Sequence, residues 1–189
     1  RAMVACLWIV LAFMYIPIIA IIGMSFNATP YGMFPYVFTF DWYKILFTES
    51  NLLPACVFSL KFAFGVTVAA IIIGTMASFG LQAYSPKWSN RLNALIQLPI
   101  IIPWLVTAIS LLLLFSFIGA GRSMVSMFFG NLIVVLPYVV LLVNGRFVSM
   151  DRTPESAARL LGAGPVRVFF DITLPAIVPG IMAGGIMAM

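Results

Sequence analysis

The sequence has no histidine and very little charge: charged residues make up 8% of its 189 residues, against about 25% in a soluble domain. Without imidazole, histidine-based metal sites and histidine-dependent catalysis are excluded for this chain. A surface with so few ions cannot face water everywhere, so lipid has to cover most of it. Acids are scarcest, five against ten basic residues. No nucleophile–base pair or metal-ligand cluster stands out, and no Gly-x-x-x-x-Gly-Lys-Ser/Thr phosphate loop is present. The chain is therefore not read as an enzyme, and it binds no cofactor of its own. Basic residues show no interleaving with aromatics, so nucleic acid is not an expected partner. The two cysteines, Cys6 and Cys56, fall at opposite ends of the topology drawn below. No disulfide is expected between them, and they read as buried, small apolar side chains.

Hydrophobic residues supply 63% of the chain. Residues 62–86, 92–121, 123–145 and 172–189 hold no charge, and residues 2–43 hold only Asp41. A spanning helix needs about 20 apolar residues, which gives spans near 2–24, 55–83, 92–118, 124–145 and 172–189. The first is too long in its apolar core for a signal peptide and lacks a small-residue cleavage site. The fold class is all-α, a polytopic membrane protein with five spans. The sequence lacks an initiator methionine and stops at Met189 inside an apolar run, so a truncated C-terminus and a sixth span in the complete chain are expected.

The loop charges orient these spans. Lys87 and Arg91 follow the second span, Arg146, Arg152, Arg159 and Arg167 follow the fourth, and Arg1 precedes the first; Lys44, Lys61 and Arg122 lie on the other side. Basic residues favour the cytoplasm. The N-terminus, 84–91 and 146–171 are then inside, and 25–54 and 119–123 outside. No span carries a central Asp, Glu, Lys or Arg. Ion-coupled carriers usually need such a charge for their relay, so energy is expected to come from elsewhere.

Along the chain, Pro17 and Pro137 predict kinks in the first and fourth spans. Pro99 and Pro103 predict a strong kink in the third, with a flexible gate beside a translocation path as the alternative. Asn27, Pro30, Gly32 and Pro35 predict turns in the external segment. A short interfacial helix is expected after them, with Trp42–Leu46 and Tyr43–Phe47 forming one apolar face. Gly65, Gly74, Ala77 and Gly80 predict close helix packing in the second span, and Lys61 snorkels to the headgroups.

The most informative segment is the charged loop after the fourth span. Thr153 reads as an N-cap with Pro154 at the first helical position, Glu155 suits the helix dipole, and Gly162 ends the helix in a left-handed conformation. Gly164-Pro165 restarts the chain as a second short helix over 166–170, Asp171 marks the membrane entry, and Pro175 falls in the first turn of the fifth span. Ala157, Ala158 and Leu161 leave a small, smooth face suited to a slot in another protein.

Ser156-Ala157-Ala158, then Gly162, then nine residues and Ile172-x-Leu174-Pro175 resembles the cytoplasmic signature loop of ABC importer permeases. Tyr15-Ile16-Pro17-Ile18, Ser25-Phe26-Asn27, Trp42-Tyr43, Ser59-Leu60 and Val168-Phe169-Phe170-Asp171 look like the spermidine/putrescine permeases within that family. Related iron, sulfate and molybdate permeases share several of these strings.

The resemblance implies the transmembrane domain of a type I ABC importer. Residues 1–54 would be a first transmembrane helix and periplasmic loop, and 55–189 the transport domain, with a coupling loop at 150–171. It implies a multi-pass protein of the bacterial inner membrane. The expected partners are an ABC ATPase, a second permease, a periplasmic binding protein and the lipid membrane, with ATP and magnesium held by the ATPase. Glu155, Ser156, Ala157, Ala158, Gly162, Ile172, Leu174 and Pro175 would form the ATPase-coupling motif. The chain departs from the family in one place: the glutamate that usually opens the motif is Ser156, and Glu155 stands one residue early, about 100° around a helix. No acid lies in the spans to attract a polycation, so selectivity is expected to rest on the binding protein or on further C-terminal residues.

Overall fold

The computed structural model describes residues 2–29, 34–48 and 51–189. It divides into an N-terminal unit, 1–58, and a second unit, 59–189. Among the described residues the secondary structure is helical, apart from one isolated antiparallel bridge between Asn27 and Phe38. Four helical stretches are long and apolar enough to cross a membrane, and a bent pair makes a fifth if it counts as one span.

In the N-terminal unit, α1 (Ala2–Met24) runs through Pro17 without a break. Its carboxyl end leads into a small aromatic knot. The Ala28 N–H donates to the Val37 carbonyl at 2.7 Å, and the Thr39 N–H to that of Phe26 at 2.8 Å. The Asn27 side-chain oxygen accepts from the Val37 N–H at 3.0 Å. Phe26 stacks on Phe38 and Tyr43 at 5.7 and 5.2 Å. Of the expected turn formers, Pro30 and Gly32 lie outside the described residues.

The interfacial helix is α2 (Asp41–Thr48), but its faces are not those expected. Tyr43 and Leu46, at i and i+3, turn inward, while Trp42 and Phe47 are exposed. The reason is polar: the Trp42 indole N–H donates to the Asn27 carbonyl at 2.8 Å, and the Tyr43 hydroxyl meets Ser25 Oγ at 2.6 Å. Cys6 and Cys56 are free and both exposed, which corrects the expectation of burial. Both lie on long apolar helices, where lipid is the surrounding medium.

The second unit is built on α3 (Leu52–Ala83), which begins in the first unit, α6 (Met124–Ser149) and α9 (Leu174–Ala188). Its core is Val66, Ala70, Leu132, Val139, Val143, Phe147, Ile177 and Ala188. Without a hydrophobic drive between helices in lipid, close backbone approach has to hold such a bundle. Glycines provide it. A Cβ on Gly180 would lie 2.5 Å from Arg146 Cγ and 2.9 Å from the Leu142 carbonyl. One on Gly184 would sit 3.0 Å from Val139 Cα, and one on Gly74 2.8 Å from Val139 Cγ1. Val139 is thus held between α3 and α9. Of the small residues expected to pack in α3, Gly74 does, but a Cβ on Gly65 or Gly80 would meet nothing within 4 Å. The buried stripe of α3 runs Val66, Ala70, Gly74, Ser78 and Leu81, and 65 and 80 fall off it.

The third span differs from the single kinked rod expected over 92–118. It is two helices, α4 (Pro86–Ile101) and α5 (Trp104–Phe117), meeting at 103°. Pro103 disfavours the helical conformation at the residue before it, and Ile102 is extended, with φ −78° and ψ 132°. Pro99 sits inside α4 and does not end it. With 16 and 14 residues, the two helices reach about 24 and 21 Å at 1.5 Å per residue. Neither alone crosses a hydrocarbon core of about 30 Å. Pro137 is fully buried within an unbroken α6.

Candidate functional site

The charged loop forms a short surface helix, α7 (Thr153–Leu160), then a tight turn, then α8 (Pro165–Val168). Five π-helical residues, Phe169–Thr173, join α8 to α9. The last span therefore starts its helix at Pro165 rather than near 172, and the stretch Pro165–Ala188 is continuous. Pro175 stands in the first turn of α9, as expected. It has no N–H, and its ring crowds the carbonyl four residues back. The wider π turn lies directly before it, with the Leu174 N–H donating five residues back to Phe169.

Both ends of α7 are set by local chemistry. Thr153 is the first helical residue rather than the cap, and Pro154 the second. Asp151 does the capping work from outside: one of its oxygens accepts from the Thr153 N–H at 2.9 Å and from Thr153 Oγ1 at 2.7 Å. Those two bonds favour the carboxylate and hold Asp151 below its ordinary pKa. At the other end the Gly162 N–H donates to the Arg159 carbonyl and the Ala163 N–H to that of Ala158, both at 3.0 Å. Gly162 has φ +86°. This is the Schellman arrangement, which needs a left-handed residue where glycine stands.

The helix has no buried residue. Ser156 and Ala157 face outward, joined by Leu160 and Leu161, which are 88% and 89% exposed. Ala158 and Glu155 are half-buried on the inner side. The two alanines of the motif thus divide between the faces. Of the downstream motif residues, Ile172 and Leu174 are half-buried and Pro175 is exposed. Leu174 packs against the core. Arg167 and Asp171 form an exposed i, i+4 ion pair at 3.3 Å, which contributes little.

Two side-chain hydrogen bonds tie this loop to the bundle, beside the ring contact of Phe169 with Phe79 at 5.1 Å, and neither bond is apparent from residue type alone. The Thr173 hydroxyl donates to Glu155, and Thr173 is 4% exposed. Arg152 Nη2 donates to Gln82 Oε1 on α3 at 2.8 Å. From Gln82 a line of amides continues inward. Gln82 Nε2 donates to Asn144 Oδ1 at 3.4 Å, Asn144 Nδ2 to Asn93 Oδ1 at 3.2 Å, and Gln97 Nε2 to the same Asn93 oxygen at 3.0 Å. The line joins α3, α6 and α4. The available signal was the set of amides in these helices, with Asn93 and Gln97 spaced i, i+4, although Asn90 and Asn131 stand among them without joining the line. Beneath α7 lies an open cavity of about 800 Å³, lined by Phe79, Phe147, Phe169, Arg152, Arg159 and Glu155 among others.

Residues 67–189 match the family described as binding-protein-dependent transport system inner membrane component. The chain is 30% identical over 184 residues to the spermidine/putrescine transport system permease protein PotC of Haemophilus influenzae, covering 97% of this chain and 72% of that protein. It is 32% identical over 183 residues to the putrescine transport system permease protein PotI of Escherichia coli, covering 93% of this chain and 65% of that protein. A similarity also reaches the molybdenum transport system permease protein ModB of Mycobacterium bovis, 30% identical over 188 residues, 92% of this chain and 70% of that protein.

Proposed function

This chain belongs to the family of binding-protein-dependent transport inner-membrane components, the permeases of ABC importers, and on that premise we propose that the solute it passes is a polyamine such as putrescine or spermidine. The single observation that supports this choice is the similarity to PotC and PotI over nearly the whole chain. Transport of a molybdenum oxyanion is the second reading, favoured by the similarity to ModB.

In this reading α7 is the helix that docks into a separate ATPase subunit, which holds ATP and magnesium. Ser156, Ala157 and Gly162 shape the docking surface, Ala158 backs it from the inner side, and Ile172, Leu174 and Pro175 carry its movement into the last span. The outward alanine and the adjacent Leu160 and Leu161, both nearly fully exposed, form the apolar surface that a protein partner would cover in this reading. A second permease and a periplasmic binding protein complete the assembly. Nucleotide closure of the ATPase pair moves the docked helices, and the pathway alternates between its two faces. The segregation of Arg146, Arg152, Arg159 and Arg167 supports a cytoplasmic loop and N-terminus.

Uptake by proteoliposomes holding the permease pair, ATPase and binding protein tests the solute. ATP-dependent accumulation of radiolabelled putrescine or spermidine, but not molybdate, is expected; the reverse pattern would establish the oxyanion reading. Cysteine labelling tests the orientation: Arg159→Cys should resist a membrane-impermeant reagent that modifies Thr48→Cys in intact cells, both on a cysteine-free background. Labelling of the first and not the second inverts the topology.

A further inference from the structure

We propose that the Glu155–Thr173 hydrogen bond is a strut that carries the movement of α7 into α9, with Thr173 as a positioning residue for transport. The proposal rests on the reading of α7 as the docking helix. A helix that moves a span has to be attached to it. Packing provides little of that attachment: α7 abuts α8 and the π-helical segment, but it has no buried residue, and an open cavity of about 800 Å³ lies between its inner side and the aromatic wall of Phe79, Phe147 and Phe169. The chain connection, through Gly162 at φ +86° and an extended Gly164, joins α7 to the start of α8 and not to the far end of the π-helical turn. The side-chain hydrogen bond that reaches from the body of α7 to the end of the π-helical turn is that of the Glu155 carboxylate, held by the hydroxyl of Thr173.

The place of attachment matters as much as the bond. Thr173 closes the π-helical turn, where one extra residue per turn lets a helix change direction or register at low cost. It is 4% exposed, so water competes poorly for its hydroxyl. A pull on Glu155 is thus delivered at the point where the last span yields most easily. The arrangement also gives the displaced glutamate a role of its own. Glu155 faces inward to Thr173, while Ser156, in the position the family's glutamate normally takes, faces outward. The charge is used inside the permease rather than against the ATPase.

The test uses the complete transporter in proteoliposomes, reading solute moved per ATP hydrolysed and co-purification of the ATPase. Thr173→Val and Glu155→Ala should each lower solute moved per ATP about fivefold or more while the ATPase still co-purifies. The double variant should be no worse than either single one, as for two ends of one strut. Thr173→Ser and Glu155→Gln, which keep a donor and an acceptor, should stay within about twofold of the unaltered transporter. Normal coupling in Thr173→Val overturns the proposal. So does a tenfold loss in Glu155→Gln together with loss of the ATPase, which would make Glu155 a charged docking contact. If the unaltered permease neither retains an ATPase nor transports, the docking reading itself fails, a different outcome from an intact transporter indifferent to both positions. Should Thr173→Val not fold, Thr173→Ser against Thr173→Ala decides by the same ratio.

Discussion

Glycine does opposite work in two regions of this protein. In the seam between α6 and α9, Gly180 and Gly184 are there for space: any Cβ would strike Arg146, Leu142 or Val139. At the end of α7, Gly162 is there for backbone conformation. A Cβ would touch nothing within 4 Å, but φ is +86°. The seam is finished where Gly180 and Gly184 stand, each matched to a neighbour in this chain. The loop is prepared, with its turn fixed and its outer face uncovered. A membrane bundle saturates its contacts internally because lipid offers none better, whereas a surface proposed to dock a partner has to leave its own unmade.

The largest effect is expected from breaking the seam. Gly180→Leu forces a side chain into atoms 2.5–2.9 Å away; overpacking costs about 1–3 kcal/mol and sometimes more. The variant should be lost from the membrane fraction or melt well below the parent in detergent. Gly80→Leu, on the same scale of added volume but facing open space, should melt like the parent; if the two behave alike, the seam is not a packing constraint. Next comes the docking-face variant. Ala157→Trp should insert and fold yet abolish uptake and ATPase co-purification, and normal transport would remove α7 from the coupling route. Smaller still is Asn144→Leu, which deletes bonds to Gln82 and Asn93. Interhelical side-chain hydrogen bonds in membranes average about 0.6 kcal/mol, so a melting shift of a few degrees is expected, and none at all would make the amide line incidental.

The smallest effect concerns Asp151. Its pKa is held below the ordinary value by Thr153. The turn's extra stability is therefore complete above the ordinary carboxylate pKa and lost as pH falls through the lowered one. Amide exchange at Thr153 should quicken over that acid range in the parent. In Asp151→Asn, which keeps an oxygen acceptor but cannot titrate, it should not.

The same contrast separates what was legible in the sequence from what was not. Gly162 followed by a restart at Gly164-Pro165 spelled out the turn, because a left-handed residue and a helix-initiating proline are local demands. The spans were legible because uncharged length is also local. The choice among Gly65, Gly74 and Gly80 was not. A helix that is apolar all round has no face to read, and only the neighbours of Gly74 distinguish it. The two prolines of the third span look alike in sequence, yet the chain breaks at Pro103 and passes through Pro99. Glu155 was visible as a displaced charge. Its partner lies 18 residues on, at the end of a π turn that rotates every later side chain, and no spacing rule anticipates that. Capping moved by two residues, from Thr153 to Asp151, because an aspartate just outside a helix accepts from the N–H two residues on, here that of Thr153 itself.

The length of α3 has a consequence for the surroundings of the protein. Its uncharged part, residues 62–83, is about 33 Å at 1.5 Å per residue, longer than a hydrocarbon core of about 30 Å. Such a helix tilts to fit, and it tilts further in a thinner bilayer. Gln82 sits at the end of that lever and holds Arg152, the residue before α7. On the proposed reading of α7, such a tilt would move Arg152 with Gln82, and transporters reconstituted in short- and long-chain lipids should differ in how much ATP they use per solute moved.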